Sequence, residues 1–159
     1  MRVEAVPAEA THDLRWRILR NRRPGATVVF PEDAGAGAFH LGVRGQDAVD
    51  GGSGTILAVA SFSPEATPYR PGRRAIHLRG MAVEEPFQHH GLGRLLITTV
   101  VGRLRDDGTE VLWCNARDSA AGFYARLGFE VAGEGFVLPE SGHAHHVMLR
   151  DLCEVRERP

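Results

Sequence analysis

A chain of 159 residues is long enough to bury a sizeable core as one domain, and its 43% hydrophobic and 25% charged content is that of an ordinary folded protein. A formal net charge of −1 excludes a general attraction to nucleic acid or to an anionic membrane. All 19 basic residues are arginine, which rules out a lysine nucleophile or Schiff base, and the two cysteines, Cys114 and Cys153, are too few for a disulfide framework.

Met1 to Glu9 has no apolar centre of the kind a secretory leader needs. No apolar run reaches the roughly 18 residues of a membrane-spanning helix. A soluble, cytoplasmic chain is the expectation.

Residues 2–6 read as a short strand, and Leu14, Ile18 and Leu19 give Ala8 to Arg20 helical spacing, ended by Pro24-Gly25. The arginines around that helix (Arg15, Arg17, Arg20, Arg22, Arg23) could bind an anionic substrate, but a solvated face and tail is the favoured expectation. Residues 31–37 read as a loop. Phe39 to Val43 alternates as a strand, with Phe39, Leu41 and Val43 on one side. Asp50-Gly51-Gly52-Ser53-Gly54 is a turn, and Thr55 to Phe62 the returning hairpin strand. Pro64 to Arg74, with three prolines and a glycine, is expected to be a mobile loop.

Ala75 to Val83 reads as a central strand, and Gly80 within it as a bulge or a point of close approach. Alternation there would put His77, Arg79, Met81 and Val83 on one side. A helix follows, with Leu92, Leu95, Leu96, Thr99, Val100 and Leu104 on one face. Val111 to Cys114 is a short buried strand with Asn115 at its end. Arg117 to Leu127 is a second amphipathic helix stopped by Gly128. Phe129 to Leu138 and Ala144 to Leu149 complete the order β-α-β-β-β-α-β-α-β-β, an α/β fold on a mixed sheet.

Between the central strand and its helix lies Gln88-His89-His90-Gly91-Leu92-Gly93-Arg94. Two glycines around one residue, at a helix start, allow the backbone to close on an anion. A dinucleotide fingerprint would need a third glycine where Leu96 stands and an acidic residue where Asn115 stands. A Walker loop would need a lysine. Both nucleotide readings fail, and a phosphate cradle of another type remains.

Arg79-Gly80-Met81-Ala82-Val83, the Gln88-x-x-Gly91-x-Gly93 loop and, about thirty residues on, Phe123-Tyr124-Ala125-Arg126-Leu127-Gly128-Phe129 resemble the GNAT acetyltransferase superfamily in order and spacing. The resemblance covers roughly residues 38–150, with 1–37 as a variable N-terminal helix and loop of the same single domain. It implies a mostly antiparallel mixed sheet flanked by helices, with a splayed central strand pair. It implies acetyl-CoA as cosubstrate and an amine as acceptor. Met81, Ala82 and Val83 would then meet the pantetheine arm, with Asn115. The backbone of His89, His90, Gly91, Leu92, Gly93 and Arg94, following Gln88, would hold the pyrophosphate. Tyr124 would protonate the departing thiolate, a role for which a phenol is ready because it keeps its proton at neutral pH.

A Met81 amide suits an oxyanion hole. The base stays open among Glu84, Glu85, His77, His40 and relayed water, with Glu84 as a candidate catalytic residue. Arg79, His77 and His145 are candidates for the acceptor side. His145 and His146 belong to a histidine cluster with His143; no Cys or His pair at zinc spacing accompanies it, so no metal is expected. Tyr124 also has a plain packing reading on its helix face. A weakly catalytic acyl-CoA sensor of the same fold is the alternative function, and a homodimer is possible for the family.

Overall fold

The computed structural model describes residues 1–46, 54–139 and 141–153. Most of the Asp50–Gly54 turn and Glu140 of the last turn therefore lie outside the described residues. Seven strands form, β1 (Arg2–Val6), β2 (Phe39–Arg44), β3 (Ile56–Pro64), β4 (Ala75–Val83), β5 (Val111–Arg117), β6 (Glu130–Val137) and β7 (Ala144–Asp151), in the sheet order β1-β2-β3-β4-β5-β7-β6. The helices are α1 (His12–Leu14), α2 (Leu92–Asp106) and α3 (Ala121–Arg126). No helix among the described residues is long and apolar enough to cross a membrane.

The chain divides into two compact units interleaved in sequence: Met1–Ser63 with Arg79–Val100, and Pro64–Leu78 with Val101–Pro159. Strand β4 and helix α2 each contribute to both.

In the first unit β2 pairs antiparallel with β1 and with β3, so that Phe39 faces Phe62 and stacks on it at 5.0 Å. Both faces of β2 are covered: His40 and Gly42, on the side opposite Leu41 and Val43, are buried as those two are. Leu14, Val59 and Ala82 form the apolar centre with Ile18, Leu19 and Ile56. The first helix is less regular than its spacing suggests. A 3-10 turn (Ala8–Thr11) leads into α1, and a π turn (Arg15–Leu19) follows it, closed by the Arg20 N–H on the Arg15 carbonyl at 3.1 Å.

Arg15, expected in solvent, is fully buried. Its guanidinium donates to both Asp33 oxygens (2.7 and 3.0 Å), the Val28 carbonyl (2.8 Å) and Ser61 Oγ (2.6 Å), and lies 3.8 Å from the Phe30 ring centroid. A buried arginine is tolerable only when its charge is paired and most of its donors are used, as both terminal nitrogens are here.

In the second unit β4 runs parallel to β5 from Ala75↔Val111 to Leu78↔Cys114; β4 continues to Val83 and β5, longer than expected, to Arg117. Strand β7 pairs antiparallel with β5 and β6, and a bulge interrupts β6 between Ala132 and Phe136. Val111, Trp113, Val147 and Leu149 make the apolar centre. The loop from Pro64 to Arg74, expected to be mobile, is tied down. Arg70 binds Asp151 at 2.9 Å and Glu130 at 2.8 Å, Thr67 is buried, and the Glu65 carbonyl accepts from Trp113 Nε1 at 2.9 Å. The second amphipathic segment forms a 3-10 turn at Asp118–Ala120 before α3, and Gly128 (φ +86°) closes α3 with the Phe129 N–H on the Tyr124 carbonyl at 3.1 Å.

Candidate active site

The first unit carries the glycine loop. Strand β4 bends at Gly80, whose φ of +58° suits glycine; a Cβ there would sit 2.9 Å from Phe30 Cε2 and 3.1 Å from Arg15 Nε. The sequence suggests a bulge or a close approach at Gly80; the approach found is by the side chains of Phe30 and Arg15. Beyond the bend Ala82 points into the core while Met81 and Val83 are only half-buried. The Glu84 N–H then bonds the Leu57 carbonyl at 2.7 Å, and a 3-10 turn at Glu85–Phe87 carries the chain away from the sheet.

Gln88 folds back on this turn, its Nε2 donating to the Val83 carbonyl at 3.0 Å. The next residues adopt a backbone suited to an anion. His89 and Gly91 both have positive φ (62° and 85°), and His90 Nδ1–H donates to the Gln88 carbonyl at 2.7 Å. Helix α2 begins with the Leu95 N–H on the Gly91 carbonyl at 2.9 Å. By helix geometry the N–H groups of Leu92, Gly93 and Arg94 therefore have no acceptor one turn back, and the dipole adds positive potential there. Arg94 is exposed, whereas Leu92, Leu96, Ile97 and Val100 anchor the helix in the core.

Glu84 stands between strand and loop. Both its oxygens accept from Arg17, at 2.5 and 2.6 Å, and Arg17 also holds Asp13 at 2.8 Å. The Arg17 hydrogen bonds keep the Glu84 carboxyl below its ordinary range despite some burial. Sequence reasoning did not find this partner. Arg79 pairs with Glu32 at 3.4 Å.

In the second unit Asn115 is half-buried on β5, opposite Val147. Tyr124 is buried on α3, edge-on to Phe123 (5.1 Å) and Phe129 (5.3 Å). Its hydroxyl interacts with the Cys114 thiol. Burial first, and then Cys114, push the phenol well above its ordinary value, while burial pushes the Cys114 thiol up to about 12. Both groups keep their protons at neutral pH. His77 is buried, stacks on Trp113 at 3.7 Å and bonds Glu65 Oε2 through Nδ1 at 2.8 Å. His145 is buried too, with Nδ1–H donating to the His143 carbonyl at 2.7 Å; His146 Nδ1 bonds Asp118 at 2.7 Å.

The profile described as the acetyltransferase (GNAT) family matches residues 8–129, parts of both units. The chain belongs to the GNAT acetyltransferase family. Among its relatives, the Bacillus subtilis protein called uncharacterized N-acetyltransferase YitI is 36% identical over 152 residues, covering 96% of this chain and 97% of its own. Of solved structures, a putative N-acetyltransferase from Lactobacillus plantarum superposes with a TM-score of 0.76 at 16% identity, covering 96% of this chain and 98% of its own. An aminoglycoside 6'-N-acetyltransferase complexed with coenzyme A gives 0.72 at 12% identity, over 100% of this chain and 99% of its own. These two likenesses carry the fold: an α/β GNAT architecture on a seven-stranded mixed sheet. The family makes this chain an N-acetyltransferase.

Proposed function

We propose that this N-acetyltransferase moves the acetyl group of acetyl-CoA to a primary amine by direct attack, with Tyr124 as general acid. The observation that carries the donor half is the loop from Gln88 to Arg94. Its two positive-φ residues lead into the free amides of α2, a combination that suits a pyrophosphate. The N–H groups from His89 to Arg94 take the phosphate oxygens, and the exposed Arg94 side chain adds charge. Gln88 has already taken the Val83 carbonyl, so we put the contribution of β4 to the pantetheine arm on its remaining groups at Met81 and Val83, and keep Asn115 as a further candidate for that arm. The Met81 N–H, just past the Gly80 bend, is assigned to the oxyanion.

In the reaction the amine nitrogen forms a bond to the thioester carbon and the carbon–sulfur bond breaks. Of the three protons on the starting ammonium, one goes to water before attack. A second leaves the nitrogen as the intermediate collapses and replaces the proton that Tyr124 gives to the thiolate. The third stays on the amide. A phenol held protonated by burial supports this role. Glu84 we assign to position the strand end, because protonating it would break its two bonds to Arg17.

The test has two parts. Acetyl-CoA should raise the melting temperature of the protein, and an acceptor panel followed by thiol release should find an amine substrate. Tyr124→Phe should then lower kcat by on the order of a hundredfold or more while acetyl-CoA binding persists. A variant with unchanged turnover would favour the sensor reading, and no melting shift at millimolar acetyl-CoA would refute the donor.

A further inference from the structure

In the second unit, strand β5 ends on a charge that the chain itself leaves unanswered. Its pairing with β4 stops at Leu78↔Cys114, so Asn115, Ala116 and Arg117 are paired with β7 alone. Strand alternation and register set the faces. Trp113, Asn115 and Arg117 share one face with Leu149, Val147 and His145, while Cys114 and Ala116 share the other with Met148 and His146. Tyr124 meets the Cys114 thiol and so lies on that other face. Beside Arg117, His145 stacks on Phe136 at 6.0 Å.

Elsewhere, arginines that leave the solvent do so with partners. Arg15, Arg17, Arg44, Arg70 and Arg79 each pair with a carboxylate, and Arg20 and Arg150 each donate to a carbonyl. Arg117 is half-buried too, yet its guanidinium makes no hydrogen bond or ion pair among the described residues. The next carboxylate along the chain, Asp118, is taken by His146 at 2.7 Å. Nor is the guanidinium sealed in: no nitrogen of Arg117 is among the fully buried ones that lack a partner. A charge drawn partly out of water, unpaired but open to a ligand, is the pattern of a site completed by an anion from outside.

We propose that Arg117 selects an anionic acceptor: an amine that also carries a carboxylate or a phosphate, either of which its planar fork binds through two parallel hydrogen bonds. This rests on the N-acetyltransferase reading above and names its substrate class. Two features assign the anion to the acceptor rather than to the donor. The phosphates of acetyl-CoA lie at the far end of its uncharged pantetheine arm from the thioester. Arg117 stands three residues, roughly 10 Å, from Cys114, which the proposed acid meets. It also works from the face opposite that acid, and an attacking amine and the acid for the departing thiolate need separate approaches to the thioester.

The test is thiol release from acetyl-CoA with anionic amines and their neutral counterparts: amino acids of increasing amine-to-carboxylate spacing against their methyl esters, and phosphoethanolamine against ethanolamine. At least one anionic amine should exceed its neutral counterpart in kcat/KM by about tenfold to a hundredfold, the range expected for hydrogen bonds to a charged group. The series in which it does so tells a carboxylate from a phosphate. Arg117→Met should raise the KM of that acceptor by a similar factor, and Arg117→Lys should recover part of the loss. The acetyl-CoA-induced melting shift should persist in both variants, which also shows that they fold. Neutral amines that match the anionic ones, or an acceptor KM unchanged in Arg117→Met, would overturn the inference. So would a loss that falls on the KM of acetyl-CoA, because the anion would then be the donor's. If no anionic amine is acetylated while acetyl-CoA still raises the melting temperature, the inference fails and the donor reading stands; if the wild-type shift is absent, the donor reading itself has failed.

Discussion

Gly80→Ala tests how β4 is held. Two costs add at this position. A left-handed alanine costs about 1–2 kcal/mol. The new Cβ would also stand 2.9 Å from Phe30 Cε2 and 3.1 Å from Arg15 Nε. Arg15 cannot retreat, because it is fully buried and held by Asp33, Val28 and Ser61. Phe30 is pinned in turn by the guanidinium over its ring. Overpacking of that kind costs about 1–3 kcal/mol, against which the stiffer unfolded chain returns roughly 0.4–1 kcal/mol. The net is about 1–4 kcal/mol, a large share of a domain's typical stability. The assay is urea unfolding at constant m, with Gly72→Ala as reference: Gly72 has a φ of +74° but nothing within 4 Å of the added Cβ, so it bears the conformational cost alone. Gly80→Ala should be the more destabilising of the two, and Phe30→Leu should recover part of the difference. Equal losses at Gly80 and Gly72 would refute the crowding argument.

Gly91→Ala meets open space at φ +85°, so it should fold with a loss of about 1–2 kcal/mol and show its main defect as a raised KM for acetyl-CoA in steady-state kinetics. Glu84→Gln and Arg17→Met should each lower activity to a similar extent, and the double variant should be little worse than either single one, as a double-mutant cycle would show for a pair acting as a unit. Stability should fall on acidification. His40 has a folded pKa below its ordinary 6.5, so its contribution is complete above that pH and is lost as the pH drops through the folded value; Asp33, lowered because Arg15 and the Phe30 N–H outweigh its burial, adds a second loss below 3.8. Urea midpoints measured from pH 8 to pH 3 check the sign. A thiol reagent should modify Cys153 alone in the native protein and both cysteines after unfolding, since Cys114 is buried and its thiol is pushed up to about 12.

What could be read from the sequence was what neighbours along the chain decide. The apolar stripe of α2, the alternation in the strands, the special roles of glycines 80, 91 and 128 and the element order all follow from local periodicity and sterics. The failures share a cause in partners far along the chain. Arg15 looked like one of five solvated arginines, although it sits on the stripe of Leu14, Ile18 and Leu19. Its burial depends on Asp33, eighteen residues on, and on Ser61, forty-six residues on. The loop from Pro64 to Arg74 looked mobile by composition, yet Arg70 finds Asp151 eighty-one residues away. Arg17 and Glu84 are sixty-seven residues apart. Ion pairs of this kind leave no trace in periodicity, so their residues were placed by type alone.

These long-range pairs change what the N-terminal segment does. Two arginines of the same π turn reach the same strand by different means. Arg15 lies with Phe30 against the bend at Gly80, and Arg17 grips Glu84 just past the end of β4. Met81, Ala82 and Val83, the residues assigned to the thioester and its pantetheine arm, lie between those two fixed points. A segment that would be free to vary if it only shaped an acceptor pocket thus also fixes the backbone that we propose faces the donor. The consequence for the chemistry is direct. An oxyanion donor stabilises the intermediate only when it is held in place before the reaction begins, and here the holding side chains come from residues 15, 17 and 30 rather than from the strand itself.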